Sequence, residues 1–472
     1  MEPVVSARRR WWILAVVGLT TLMGVLDASV MTIALPHAQA DLGFSSIERQ
    51  WIVTAYALSF GSLLLFAGRL GDVWGRRRLL VTGLLGFAVA SAAGGLASSY
   101  AVLVSARAAQ GLFGALLAPA ALATVTTTFI DARERGRALA IYGAIGVSGA
   151  SIGLLLGGVL TQWATWRWCL SINVGFAVLA LVGVWVVIPA DRGTGRDHLD
   201  WWGAVTGVLG LFFVVYGLGD AETAGWGASR SWGSLTVGLA VMALFIARQR
   251  RVREPLLPLA LATQRTRAGS LTALFLTSAG LFGLTLFLSY YFQVQWGATP
   301  VQTGIYFLPL IAAISLSATL ASARLWHRVG PRPLLPSGML LAMMGSILLT
   351  RLSPSSSYVG GVLPGVMLVG LGLGMILAPA VASATALVDE HDAGAVSALV
   401  GTMQQIGGSI GTALLNAVAV SATAGALRHG ASSSIAVVQG YDTALWWVAG
   451  AFGLGAVLTM ALLETGQPAS SS

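Results

Sequence analysis

The chain has 472 residues, of which 56% are hydrophobic and only 10% charged. A soluble domain carries about 25% charged residues, so this composition excludes an ordinary water-soluble protein of this size. The formal charge of +9 would suggest nucleic acid as a partner, but all 27 basic residues are arginines, and their placement argues for membrane topology instead.

Long apolar runs, each near the ~20 residues that carry a helix across a hydrocarbon core of roughly 30 Å, predict fourteen helices. They lie at 11–35, 48–68, 79–97, 101–126, 137–161, 170–189, 201–219, 232–248, 269–292, 302–323, 333–351, 359–381, 396–420 and 442–463. Arg8, Arg9 and Arg10 precede the first run, and Ala38-Gln39-Ala40 imitates a cleavage site. The run is too long for the 7–15-residue core of a signal peptide, so it reads as a span ended by Pro36. Pro189 ends the sixth span, and Gly330-Pro331 precedes the eleventh. Trp11, Trp12, Trp201 and Trp202 read as interfacial anchors.

With the N-terminus inside, 21 arginines fall in inner segments and 5 in outer ones (Arg49, Arg167, Arg230, Arg351 and Arg428), while Arg107 lies within a span. This follows the positive-inside rule and places both termini in the cytoplasm of a multi-pass inner-membrane protein. The absence of lysine, with abundant Ala and Gly, points to a GC-rich bacterial genome. The loops are too short for a soluble domain, and no GxxxxGK[ST] phosphate loop occurs. The driving force is therefore expected to be an ion gradient or a partner protein rather than ATP, and the chain reads as a transporter, not an enzyme. One cysteine, Cys169, excludes an intramolecular disulfide and a cysteine metal cluster, and His37, His198, His327, His391 and His429 form no ligand-spaced pair. No cofactor or metal is expected.

The halves resemble each other. Ala67-Gly68-Arg69-Leu70 with Gly75, Arg77, Leu79 and Leu80 aligns with Ser322-Ala323-Arg324-Leu325, Gly330, Arg332, Leu334 and Leu335. Leu117-Ala118-Pro119-Ala120 recurs at 377–380, and Gly149-Ala150-Ser151-Ile152-Gly153 aligns with 407–411. The matches keep one order and nearly one offset, about 258 residues, in the same membrane orientation. This predicts an all-α integral membrane fold of two six-helix bundles in parallel pseudo-repeat, 1–189 and 261–472, with a central two-helix insert and its linkers at 190–260.

Asp27 is the one acidic residue deep within a predicted span. Burying a carboxylate in hydrocarbon is costly, and such residues usually face a bundle interior or a water cavity, where desolvation brings proton uptake toward neutral pH. The alternative is a structural Asp satisfied by neighbouring backbone. Asp27 lies eight residues, about 12 Å, from the predicted outer end of its helix, and Arg107 six residues, about 9 Å, from the start of the fourth. The two depths match, which predicts an Asp27–Arg107 pair; the alternative is an Arg107 side chain that snorkels to the interface. Gln110 shares the face of Arg107. Gly143, Gly146, Gly149, Gly153, Gly157 and Gly158 are small residues, the first five at helical spacing, suited to close packing. Polar residues for a substrate path are Gln110, Tyr56, Tyr142, Gln293, Gln404, Gln405 and Asn416. No carboxylate lies deep in the second half as predicted, so a neutral or monocationic lipophile fits better than a dication.

Leu26-Asp27-Ala28-Ser29-Val30 through Ala34-Leu35-Pro36, the segment Gly68-Arg69-Leu70-Gly71-Asp72-Val73-Trp74-Gly75-Arg76-Arg77-Arg78, Arg107-Ala108-Ala109-Gln110-Gly111, and Trp166-Arg167-Trp168 with Asn173 carry a family likeness over nearly the whole chain. It resembles the major facilitator superfamily, and within it the fourteen-helix drug:proton antiporters. The resemblance implies proton-driven export of small lipophilic drugs or antibiotics across the cell membrane by alternating access, with Asp27 and Arg107 in proton coupling. It also implies a gating loop carrying Gly68, Asp72, Gly75, Arg76 and Arg77 that contacts the other half and stabilises one state; the second copy has His327 in place of Asp72. In the fifth-helix motif Leu154 replaces the usual proline. That departure leaves open proton-coupled uptake of a metabolite. A non-transporting membrane sensor is the reading from another class.

Overall fold

In hydrocarbon every backbone N–H and C=O must find an internal partner, which leaves a chain this apolar the α-helix as its element. The computed structural model describes residues 6–44, 46–190, 200–224, 227–252, 255–256, 259–321, 325, 329–353, 355–386, 388 and 392–464. Arg192, Arg196, Arg253, Arg324, Arg328, His198, His327 and His391 fall outside them. Fourteen helices have nineteen residues or more: α1 (Ala7–Leu42), α2 (Ser46–Trp74), α3 (Arg76–Gly95), α4 (Tyr100–Thr128), α5 (Ala132–Trp163), α6 (Trp168–Val187), α7 (Trp201–Ala224), α8 (Ser229–Gln249), α9 (Arg265–Tyr290), α10 (Pro300–Leu320), α11 (Pro331–Leu349), α12 (Leu363–Ala384), α13 (Ala393–Arg428) and α14 (Ser433–Leu462). No strand occurs among the described residues. Among the described residues twelve helical spans are long and apolar enough to cross a membrane, and Trp201–Gly217 adds a shorter apolar stretch. The protein is a multi-pass membrane protein.

Several boundaries differ from those read in the sequence, among them Trp74 rather than 68 at the end of the second helix and Arg428 rather than 420 at the end of the thirteenth; three more have a visible local cause or bear on a charged residue. The first helix does not stop at Pro36; it runs 36 residues to Leu42. A proline removes one hydrogen bond from the ladder but does not end it here. The stop is Gly43, left-handed at φ 70°, whose N–H returns to the Gln39 carbonyl. The fifth helix starts five residues early because the Asp131 carboxylate caps it, accepting from the N–H groups of Arg133 and Glu134. The last helix begins at Ser433, not 442. That shift puts Asp442 nine residues into α14, about 13 Å along its axis, where the sequence reading had it as the first residue of the span.

In the first half, α1 packs on α4, α5 and α6, α2 on α4, and α3 on α4 and α6. In the second half, α9 packs on α12, α13 and α14, α10 on α12, and α11 on α12 and α14. Across the middle, α2 lies against α13, and α5 against α10 and α12. Hydrophobic burial drives little helix association in lipid, so close backbone approach matters more. At α11–α12, a Cβ on Gly345 would come within 2.6 Å of the Gly365 carbonyl. The α7–α8 pair is zipped the same way: Gly207, Gly210 and Gly217 face Phe245, Met242 and Leu235. Asp200 caps α7 through the Gly203 N–H and receives Arg248 Nη2 at 2.7 Å, tying the ends of the pair together. The pair rests on both α2 and α13, with Trp51 against Tyr216 and Phe66 against Trp201.

Candidate functional site

Helices α1, α3, α4 and α6 bring five polar side chains together in an otherwise apolar interior. Arg107 and Gln110, one turn apart on α4, face Asp27 of α1. Arg107 Nη1 donates to Asp27 Oδ2 at 2.5 Å and to Gln110 Oε1 at 2.9 Å. Gln110 Nε2 donates to Asp27 Oδ1 at 2.9 Å and to Ser91 Oγ at 2.8 Å. Asn173 Nδ2 of α6 donates to the same Asp27 Oδ1 at 2.7 Å. Each of the five is at most 1% exposed. Arg107 Nε reaches the Ile52 carbonyl at 3.4 Å, and its guanidinium lies 4.4 Å from the centroid of the Tyr56 ring.

A buried ion pair repays its desolvation only when hydrogen bonds satisfy the remaining valences. Three donors on one carboxylate meet that requirement. The Asn173 carbonyl oxygen is buried and accepts no hydrogen bond among the described residues. Turned over, that amide would present its oxygen instead of its N–H groups to Asp27. Asn173 entered the sequence reading only as part of a motif, and Ser91 did not enter it. Uncharged polar residues within spans are too common to stand out.

A second polar contact joins the halves. Asp72, at the end of α2, is buried; its Oδ1 accepts the Gly394 N–H at 3.0 Å and its Oδ2 the Ala395 N–H at 3.3 Å. These are the first turn of α13, whose free N–H groups attract an anion. Arg69 Nη1 lies 3.8 Å from Asp392 Oδ1. Gly68 permits the approach: a Cβ there would stand 2.4 Å from Ala398 Cβ and 2.5 Å from the Gly394 carbonyl oxygen. Gly75 at φ 92° turns the chain from α2 into α3, a conformation open to glycine. Arg76 bonds Thr127 at 2.9 Å and Arg77 the Trp185 carbonyl at 3.0 Å, so both brace the first half.

The family profile described as Major Facilitator Superfamily matches residues 17–412. The chain belongs to the Major Facilitator Superfamily. It is 46% identical over 464 residues to the puromycin resistance protein pur8 of Streptomyces alboniger, covering 97% of this chain and 92% of that one. It is 37% identical to the cephamycin export protein CmcT of Amycolatopsis lactamdurans (85% and 83% covered) and 32% identical to the multidrug efflux pump LfrA of Mycolicibacterium smegmatis (87% and 81%). The crystal structure of the human organic anion transporter MFSD10 shares the fold, with a TM-score of 0.65 at 16% identity over 95% of this chain and 99% of that one.

The other residues singled out in this superfamily member are dispersed. Tyr56 joins the cluster from below Arg107. Tyr142 is half-buried on α5. Gln404, Gln405 and Asn416 are half-buried on α13, Gln293 is exposed just past α9, and none of these four amides makes a hydrogen bond among the described residues. The glycine stripe on α5 divides. A Cβ on Gly149 would meet Leu22 and Val25 of α1 at 3.2 Å, one on Gly153 would stand 1.9 Å from Ser29 Oγ, and one on Gly158 would meet Val301 of α10 at 3.1 Å. Gly157 is buried, and its carbonyl lies 3.9 Å from Cys169 Sγ. Gly143 and Gly146 face open space, so the packing expected of them is absent. Arg107 does not snorkel, because its charge is met within the bundle.

Proposed function

We propose that this protein exports small lipophilic antibiotics or drugs in exchange for protons, by alternating access, through fourteen membrane-crossing helices with both termini in the cytoplasm. The observation that carries the reading is the sealed carboxylate of Asp27, held by Arg107, Gln110 and Asn173. A proton on Asp27 would cancel its attraction to Arg107 and loosen α1 from α4 and α6. Two six-helix halves, 1–189 and 261–472, would rock against each other, each contributing one helix to each of the crossings α2–α13 and α5–α10. The α7–α8 pair is the insert between them. Asp72 on the N-terminus of α13 would hold the cytoplasmic side shut until the proton moves.

The names of the relatives support antibiotic export as the direction, and puromycin is the first compound to test. Purified protein in proteoliposomes should move puromycin when a pH gradient is imposed, and the movement should stop with a protonophore. Asp27→Asn should lower the gradient-driven rate at least tenfold. Full gradient-driven transport by this variant would end the proton-coupling role, and no transport of any compound on a toxicity panel would end the export reading.

A further inference from the structure

A groove at the α13–α14 turn carries chemistry that the Asp27 cluster does not use. The last turns of α13, the end of α11 at Thr350 and the first turns of α14 flank an open groove of about 790 Å³. Along α14, Gln439, Asp442, Thr443 and Trp446 line it; their spacing of three, four and seven residues puts them on one face. The opposing wall is made of small residues of α13, Ala422, Gly425 and Ala426, at the same spacing. One side of the groove is therefore polar and aromatic, and the other is a shallow apolar surface.

Asp442 is half-buried, and its Oδ1 is shielded from solvent without any hydrogen-bond donor among the described residues. Among the described residues no arginine lines the groove. Outside the lining, Arg428 Nε donates to the Ala424 carbonyl of its own helix, and the Tyr291 hydroxyl donates to the Ser353 carbonyl at 2.6 Å. His429, exposed in the turn, is the one other ionisable side chain among the described residues of the lining. A shielded carboxylate oxygen without a donor is costly, and a cation entering the cavity removes that cost. Among the described residues no group of three His, Cys, Asp or Glu side chains could hold a metal ion, so a lone carboxylate beside an indole suits an organic cation better. The ammonium supplies N–H donors and charge to Asp442, the Trp446 ring adds a cation–π face, and the Ala–Gly wall takes the apolar body.

We propose that this groove is a binding site for an organic ammonium cation, held by Asp442 and Trp446 and separate from the Asp27 cluster. The same chemistry is offered by a free aryl-alkylammonium and by the amine of phosphatidylethanolamine. The test is equilibrium binding of radiolabelled phenethylammonium to the full chain in phosphatidylcholine nanodiscs, which needs no transport and so does not depend on the export reading. Wild type and Asp27→Asn should bind alike. Asp442→Asn should weaken binding at least tenfold. Gly425→Leu should do the same by filling the groove; a Cβ at Gly425 meets nothing within 4 Å, so this variant tests the site even if Asp442→Asn fails to fold. The neutral isostere 2-phenylethanol should not compete. Undiminished binding in either folded variant, or competition by the alcohol at equal strength, overturns the proposal; the latter would mean that Asp442 is a neutral acid. Weaker phenethylammonium binding when phosphatidylethanolamine replaces phosphatidylcholine identifies the lipid amine as an occupant of the same site, and unchanged binding identifies free ammonium.

Discussion

Replacing Asp72 by alanine removes the acceptor of two N–H groups at the start of α13, at 3.0 and 3.3 Å, from a buried position. A hydrogen bond to a charged group contributes about 1.5–3 kcal/mol, and the longer bond belongs at the low end. The favourable helix-terminus field overlaps these bonds and adds little beyond them. The closed arrangement of α2 on α13 should therefore lose about 3 kcal/mol, a shift of roughly 150-fold in the closed-to-open ratio. Gly394→Ala attacks the same seam sterically. Its Cβ would stand 2.3 Å from the Gly68 carbonyl oxygen and 2.5 Å from Asp72 Oδ1, so the helices must part by about 1 Å, at an overpacking cost of about 1–3 kcal/mol. Electron–electron resonance distances between spin labels on exposed Arg133 and Glu464, in a Cys169→Ser background, report the separation of the two ends. Both variants should move the distance distribution toward the longer population. If both retain the wild-type distribution, Asp72 does not hold the halves together and the gating argument is wrong.

Further outcomes follow from the same geometry. Arg107→Met should destabilise the protein by about 3–5 kcal/mol, because it strands the Asp27 charge; adding Asp27→Asn should recover much of that in thermal unfolding, without restoring gradient-driven transport. Asn173→Ser, whose hydroxyl both donates and accepts, should keep the wild-type pH profile of export, whereas Asn173→Val should displace it; identical profiles would remove Asn173 from the proton step. Gly153→Ala should lower stability by about 1–3 kcal/mol and Ser29→Ala should restore part of the loss, while Gly146→Ala should be neutral or stabilising by up to about 1 kcal/mol in chemical denaturation. The Asp41 carboxyl is held below the usual carboxylate range by its hydrogen bond from Arg167, then by that from Trp166. Since the folded value is the lower one, its contribution is complete above about pH 4 and fades as pH falls through the depressed value. The difference in thermal stability between wild type and Asp41→Asn should be constant from pH 7 to 5 and shrink toward pH 3.

Charges inside apolar runs are rare enough to be read directly, which is why Asp27 and Arg107 stood out and why their meeting could be anticipated from depth along two helices. The depth estimate used a first helix ending at Pro36, while the helix continues to Leu42; the pair forms because the added turns extend beyond the cluster and leave its register unchanged. Asn173 and Ser91 were not legible as partners, since nothing in a linear pattern says which neutral side chains face a carboxylate across three helices. Asp442 was lost for a different reason. The polar stretch 429–441 looks like a loop, yet Ser433 onward is helical, and local composition is overridden by packing on α11 and α13. The partner of Asp72 lies more than 300 residues away, and such a contact is set by tertiary arrangement alone.

The α7–α8 hairpin lies along one of the two joints between the halves, against α2 and α13, and among the described residues no equivalent pair lies along the joint of α5 with α10. The molecule is thus lopsided in the plane of the bilayer. A compound diffusing sideways among the lipid tails meets the α7–α8 pair at one joint and no such pair at the other, so any lateral doorway is one-sided.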